Sequence, residues 1–521
     1  MDNENKLEIF NKNIIKWYPF KNCKKILQIG ENQNIKNELC KIFESVNSIS
    51  KIDELFLNPN EIYDYIIIYG YENYEIEIDK LFNLLSDDGI ILIIGNNSLG
   101  INNWSKYQNS KDVSICVENI NYDGLKLMKL LDEVQKKGYY SNNFFAFPNY
   151  EHAEIIINEK YEKFIDVFEK YLQDFSNNDI VIFDEKKVLK NIIKSNFKLI
   201  EIFGNSYFIE ASKSEIKNNI YFATFNNCRK EQYREITILS DNNVKKIPAE
   251  DNAIEHLQDM GNTIENAKKD GFNILDYKEN GIIYSKLIKD QKTYDKILFE
   301  NIDNQNKVIE LLKLLQIELL KKSINFEEIQ DENFIFKEYC TNQEILRQFS
   351  YLKHGYWDMI AKNCFYIDGN FNFFDQEWEE KYIPVEFIIY RSIINSYELV
   401  LNTNIDAILE KLDLLKFKDL FNLIDLKLQE KIFDKDIYEC MYNKNANRVN
   451  DLIEKYNNQK NDILLKENYI KKLEKILDDF KIEENKKLEY IESLKQDNMK
   501  KQEYIEILEK KANKKGIFRR K

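Results

Sequence analysis

The chain has 521 residues, 43% of them hydrophobic, and a formal net charge of -14 at pH 7. That length suits roughly two to four domains with real cores, and the acidic balance excludes a general nucleic-acid binder. Seven scattered cysteines with no C-x-x-C pair, and three histidines far apart (His152, His256, His354), exclude a disulfide framework and a histidine-based metal site and read as reduced cytosol.

MDNENKLEIF at the start is polar and acidic, unlike a secretory leader. No apolar run reaches the roughly 20 residues of a membrane span. The first regular elements follow. KKILQIG (24–30) predicts a buried strand ending in glycine, and 34–46 a helix with Ile35, Leu39, Ile42 and Phe43 on one side. YDYIIIYG (63–70) predicts a second strand. A helix over 77–85, a turn at Ser86–Gly89 and a third strand, IILIIGNN (90–97), come next. Strands alternating with helices imply a Rossmann-like, doubly wound parallel sheet, whose ligands bind at the carboxyl ends of the strands.

Two stretches here, WYPFKNCKKILQIG and LLSDDGIILIIGNNSLGINNW, resemble the first motif and the later turn-and-strand of class I S-adenosylmethionine-dependent methyltransferases. The resemblance implies that Gly30 belongs to the cofactor loop and that S-adenosylmethionine is the cofactor. The loop departs from the family pattern. Gln28 stands where the family has an acid, and Asn32 and Asn34 stand where it has glycines. The acid expected to hold the ribose is also missing from VNSISKID (46–53).

The middle of the chain carries a different chemistry. Residues 234–260 predict strand, turn, strand and helix, and 271–299 two more strands, a hinge and a small helix. Asp358 and Asn363 stand in D-x-x-x-x-N spacing, and Asp375 follows twelve residues later at the end of an apolar run. Asp368-Gly369 between them is a hairpin-turn signal. Phosphoryl transfer needs a carboxylate to orient or deprotonate a hydroxyl, and hard oxygen ligands for magnesium on the nucleotide phosphates. On that logic Asp358 is the base, Asn363 and Asp375 are the metal ligands, and Mg-ATP is the cofactor. Lys246, with Lys245 on the opposite face as the alternative, is the phosphate-gripping lysine, and Glu255 its helix partner. No glycine-rich phosphate loop is visible.

FGNSYFIEAS (203–212) and FFDQEWEEKYIPVEFIIYRSI (373–393) resemble segments of bacterial surface-polysaccharide proteins that fuse a methyltransferase to a lipopolysaccharide-kinase-like or aminoglycoside-phosphotransferase-like domain. The architecture is similar to that of the kinase–methyltransferases that terminate O-antigen chains. The resemblance implies a methyltransferase-like domain over 1–215, an α+β two-lobed kinase-like domain over 216–445, and a helical coiled coil over 446–512. A basic tail, 513–521, follows. It also implies a transferase acting on a glycan or lipid-linked glycan. The other readings are a non-catalytic scaffold of a glycan-assembly complex and an active methyltransferase.

Residues 400–440 predict short amphipathic helices. A heptad then fits 463–512. Its a positions are Ile463, Ile470, Leu477, Glu484, Ile491, Asn498, Ile505 and Ala512; its d positions are Lys466, Leu473, Phe480, Lys487, Leu494, Lys501 and Leu508. Such a seam predicts self-association as a coiled coil. The end, KKANKKGIFRRK, is basic with Ile517 and Phe518, which suits peripheral contact with an anionic membrane at the inner face of the cell membrane.

Overall fold

A computed structural model describes residues 6–21, 25–51, 54, 61–108, 126–161, 179–181, 184–241, 243–288, 291–441 and 491–511. The chain divides into two compact units, Met1–Lys444 and Asn445–Lys521.

The first unit is organised by one twelve-stranded sheet. In chain order its strands are β1 (Lys25–Ile29), β2 (Ser45–Ile49), β3 (Tyr63–Tyr69), β4 (Leu85–Asn96), β5 (Tyr140–Phe147), β6 (Ile155–Asn158) and β7 (Ser206–Ser212). They continue with β8 (Ile220–Phe225), β9 (Glu235–Ser240), β10 (Asn243–Pro248), β11 (Asp276–Glu279) and β12 (Ile282–Lys286). The order across the sheet is β11-β12-β10-β9-β8-β6-β5-β7-β4-β3-β1-β2. Only β2, β1, β3 and β4 run parallel, with helix α1 (Gln33–Ile42) crossing between β1 and β2. The sequence reading had no strand at Ser45–Ile49, because its half-buried Ser, Val and Asn lack the apolar run of the neighbouring strands.

Period-two alternation sends side chains to both faces. Ile26, Tyr65, Ile67, Leu92 and Ile94 enter one core. Leu27, Ile66, Ile68, Ile91 and Ile93 enter the other. The first of these cores also takes Ala223, Ile236 and Ile238 from β8 and β9. The sheet therefore does not stop at residue 216. β8 pairs antiparallel with β6, Ala223 opposite Ile156 and Phe222 opposite Ile157, and four more strands follow beyond β8. Helix α2 (Ile254–Lys269) packs on those strands through Leu257, Met260 and Ile264.

A mainly helical region follows. Its core is built around helix α3 (Val385–Ile394) and helix α4 (Lys418–Ile432). A two-stranded hairpin, β13 (Cys364–Ile367) and β14 (Asn370–Phe373), turns at Asp368 and Gly369, both with positive φ (50° and 82°). That is the turn geometry the Asp-Gly pair favours. Among the described residues no helix is long and apolar enough to cross a membrane.

In the second unit residues 491–511 are helical, and Ile491, Leu494, Ile505 and Leu508 are exposed. The rest of the heptad region and the basic tail lie outside the described residues.

The continuous sheet has a measurable consequence. Ile156 is fully buried between Ala146 and Ala223. Ile156→Ala is expected to cost about 2–5 kcal/mol. Hydrogen exchange should show protection falling together in β7 and β9. Loss confined to β5–β7 would mean that the two halves fold separately.

Candidate functional site

Strand parity decides which lysine faces the helical region. Lys245 and Lys246 are consecutive on β10, so they point to opposite faces. Lys246 is buried, and its Nζ meets three carboxylates: Glu235 Oε1 at 2.8 Å, Asp375 Oδ1 and Glu377 Oε1. Glu235 opens β9, the neighbouring strand. Asp375 and Glu377 follow the β14 hairpin. One ammonium thus joins two strands of the sheet to the segment leaving the hairpin.

A second cation completes the cluster. Arg229, in the loop between β8 and β9, places Nη1 2.8 Å from Glu377 Oε2 and 3.8 Å from Glu235 Oε1. Burial works against the Lys246 charge, but Asp375, Glu235 and Glu377 outweigh it and hold the ammonium pKa well above its ordinary value. Burial also disfavours a charge on Glu377, yet Arg229 and Lys246 keep its carboxyl well below the usual range. Glu235 is the acid left over. Burial, reinforced by the Glu377 charge, pushes it up to about 8.

Three further side chains belong to the same cluster. Asp276, at the start of β11, accepts from Gln376 N at 3.2 Å and from Ser285 Oγ. Burial and the Asp375 charge raise it to about 7. His256 on α2 is buried and stacks on Trp378, centroids 4.6 Å apart. Its Nε2 has no hydrogen-bond partner, and burial lowers its pKa to about 4. One ring nitrogen lies within 4.8 Å of carboxylate oxygens of Glu235 and Glu377, a grouping that could hold a metal ion. Lys246 and Arg229 already lie against those carboxylates, so a dication there would face two cations.

The D-x-x-x-x-N segment lies against this cluster. Asn363 Nδ2 donates to the Asp358 carbonyl at 3.1 Å, and Gln376 Nε2 donates to the same carbonyl at 3.2 Å. The Phe374 N–H donates to the Asn363 carbonyl at 2.9 Å. The Asp358 loop is therefore closed by one of these hydrogen bonds and tied to the 374–376 segment by the other two. Asp375 has φ 60° and a side chain 40% exposed. A left-handed aspartate is strained backbone, held here by the bonds on either side of it. Asp358 is half-buried, and desolvation raises its carboxyl to about 6 against the opposing pull of Arg391. Arg391 Nη2 is 3.4 Å from Asp358 Oδ1, its Nη1 bonds Asp425, and its guanidinium lies 4.3 Å from the Trp357 ring centroid.

These groups surround a cleft of about 390 Å³, within the range of small-molecule sites, roughly 300–1,000 Å³. Asp358, Asn363, Asp375, Glu377, Arg229 and Arg391 line it. Lys246 is 9% exposed and sits behind Asp375 and Glu377. The proposed residues Asp358, Asn363, Asp375 and Lys246 are thus brought together. Glu255 is not among them. It is exposed on the first turn of α2, while His256, one position on, turns inward. Among the described residues, the carboxylates within ion-pair distance of Lys246 are Glu235, Asp375 and Glu377. The sequence reading missed Glu235, Glu377, Arg229 and Arg391. Arg391 left a signal, as the sole charged residue in the apolar run FIIYRSII.

Gly30 stands at the carboxyl end of β1, far along the sheet. Its φ is 96°, and a Cβ there would lie 2.4 Å from the Tyr69 carbonyl oxygen. Gln28 is fully buried, and its Nε2 donates to the carbonyls of Gly30 (2.9 Å) and Asn32 (3.1 Å); its Oε1 has no partner. Asn32 has φ -142°, so it does not take the left-handed conformation of a glycine. It caps α1 instead, accepting from Ile35 N. The turn's two inward-facing amides, Gln28 and Asn32, are spent on its own backbone, and Glu31 between them is exposed.

No protein-family model matches the chain, and no curated protein matches it. Solved structures with some likeness include Haemonchus contortus phosphoethanolamine N-methyltransferase 2 with S-adenosyl-L-methionine. It is 16% identical over 39% of this chain and 52% of that one, at a TM-score of 0.22. The chain thus spans about half the length of that enzyme. The plantazolicin methyltransferase BpumL with SAH is 16% identical over 41% and 84%, at a TM-score of 0.21. The streptomycin–ATP–APH(2")-IIa ternary complex is 13% identical over 52% and 97%, at a TM-score of 0.22.

The buried cluster sets a stability expectation. Lys246→Met removes the countercharge of three carboxylates and should cost about 3–5 kcal/mol in chemical denaturation. The carboxylates' folded pKa values then rise, and an acid raised on folding destabilises as pH climbs from its unfolded towards its folded pKa. The loss should therefore be larger at pH 8 than at pH 5. A pH-independent loss would mean that packing, not charge, is what Lys246 contributes.

Proposed function

We propose that the cleft binds Mg-ATP and transfers phosphate to a hydroxyl of a surface glycan or its lipid-linked precursor. The observation that carries this reading is the convergence of Asp358, Asn363 and Asp375 on one cleft, with a buried lysine behind Asp375.

The donor set fits magnesium, which takes oxygen ligands and binds through one or two protein carboxylates. Asn363's Nδ2 is spent on the Asp358 carbonyl, which leaves Oδ1 as its free donor atom. Asp375 keeps an exposed carboxylate edge. Bound magnesium would supply charge neutralisation on the phosphates. Asp358 then orients the acceptor hydroxyl and takes its proton. Arg391 fixes the Asp358 carboxylate, and its own position is set by Asp425 and the Trp357 face. Trp357, Trp378 and Gln429 also line the cleft.

One observation favours binding without turnover as a second reading: Lys246 is enclosed by carboxylates rather than turned into the cleft. The two readings separate by experiment. Asp375→Ala is expected to abolish magnesium-dependent ATP binding in calorimetry. Asp358→Asn should keep ATP affinity within a few-fold and lower phosphate release or transfer by roughly 10²–10⁴-fold. Wild-type turnover no greater than that of Asp358→Asn would leave binding alone. Unchanged ATP binding in Asp375→Ala would remove both.

We read the Gly30 half as a scaffold that extends the sheet. The Asn32 cap and the Gln28 hydrogen bonds support this, since both turn the loop's polar groups inward. Titration of the full chain with S-adenosylmethionine should give no micromolar binding heat; a micromolar dissociation constant would restore a cofactor role.

A further inference from the structure

The loop between β8 and β9, residues 226–234, reads NNCRKEQYR. Residues 226–229 of it line the cleft, and it contains no glycine, the residue that most readily brings backbone amides close to a phosphate chain. It is also fastened. Lys230 N donates to the Ile432 carbonyl and Asp434 N to the Cys228 carbonyl, each at 2.8 Å. Arg229 and Phe433 form an antiparallel bridge, and Arg234 Nε donates to the Arg229 carbonyl at 2.8 Å. The loop is strapped to the end of α4 across the mouth of the cleft.

This strap fixes where Arg229 points. Its guanidinium lies 5.7 Å from the Trp378 ring centroid, with Nη1 on Glu377. The side chain is 23% exposed and lines the cleft beside Asp375 and Asn363. A guanidinium has five donors, and Glu377 takes one edge of it. The other cations serve a ligand less well. Lys246 is 9% exposed and holds three carboxylates. Arg391 is 3% exposed and spends both Nη atoms on Asp358 and Asp425. Lys362 also lines the cleft, but it is exposed at the surface, where an ammonium is mobile and well hydrated.

We propose that Arg229, presented by the strapped loop, is the residue that grips the nucleotide phosphates, while Lys246 serves to hold Asp375 and Glu377 in place. The side chain supplies the planar donor fork that matches phosphate oxygens. This rests on the nucleotide reading of the cleft.

The test is calorimetry on the full chain with Mg-ATP, Mg-ADP and adenosine. Arg229→Ala is expected to weaken Mg-ATP roughly 10–100-fold, the scale of one or two charged hydrogen bonds, and to leave adenosine unchanged. Arg229→Lys should restore part of the loss. Because removing Arg229 also uncovers the Glu377 charge, the charge-balanced double variant Arg229→Gln/Glu377→Gln is measured beside it and should show the same fall in the ATP-to-adenosine affinity ratio. Equal loss of ATP and adenosine, recovery of the ratio in the double variant, or wild-type ATP affinity in Arg229→Ala would each overturn the assignment. If Asp375→Ala loses ATP while Arg229→Ala does not, this inference falls and the nucleotide reading stands. If the wild type binds no Mg-ATP, both fall.

Discussion

The buried ammonium of Lys246 is the constraint on which the cleft depends. Two buried carboxylates, Glu235 and Glu377, and the half-exposed Asp375 meet one buried lysine. Two cations, Lys246 and Arg229, face these three acids, so one negative charge is in excess. Burial and the neighbouring Glu377 charge raise the Glu235 pKa, while Arg229 and Lys246 lower that of Glu377. Such an arrangement is costly to desolvate and does little for stability compared with apolar packing. It does fix geometry. If the segment after the hairpin moved away, the lysine would lose two partners and the acids their countercharge. The segment 374–377 is therefore held in one place, with the strained backbone of Asp375 at its centre.

Two other features work in the same direction. On one side, β8 is paired to β6, so the five strands carrying Glu235 and Lys246 are an extension of a larger sheet with a shared core. On the other side, the 226–234 loop is bonded to Ile432 and Asp434 at the end of the helical region. The strands and the helical region are joined at the cluster, at the strap, and at the pairing of residues 273–275 with β14, where the Phe373 N–H donates to the Asn273 carbonyl and the Leu275 N–H to the Phe373 carbonyl. A cleft fastened at three points presents its side chains in a preformed arrangement. Preorganisation of that kind lowers the ordering cost of binding a charged ligand.

What the sequence made legible follows from how local each signal is. The hairpin over 364–373 was readable because an Asp-Gly turn stands between the aromatic-rich tetrads CFYI and NFNF. Asp358, Asn363 and Asp375 were readable because hairpin length sets their spacing. The choice between Lys245 and Lys246 needed only strand parity, once the facing surface was known. Glu255 shows where local reading ends. It sits one residue from the inward phase of α2, and a 100° rotation per residue is enough to exchange an exposed glutamate for a buried histidine. Glu235 and Glu377 were not readable, because a buried acid in a strand or loop looks like any surface acid until its lysine is in view. The joined sheet was hidden for the same reason. β8 pairs with a strand about 65 residues earlier, and nothing within either strand specifies the other.

Gly30 is a residue that packing alone requires. Of the loop positions at 28, 30, 32 and 34, only Gly30 keeps the residue type that a cofactor loop uses. Packing alone accounts for this. A Cβ at residue 30 would stand 2.4 Å from the carbonyl oxygen of Tyr69 on the neighbouring strand, and the φ of 96° is one that side chains rarely adopt. Asn32 and Asn34 are under no such restriction: Asn32 caps α1, and Asn34 donates to the Glu8 carbonyl at 2.8 Å. The glycine that the sheet needs is kept, and the two positions that only a ligand would require to be glycine carry side chains with other bonds. Its presence is therefore evidence about the β1–β3 contact and not about a cofactor. The chemistry of the chain is better sought at the opposite end of the same sheet, where Lys246 and its acids lie.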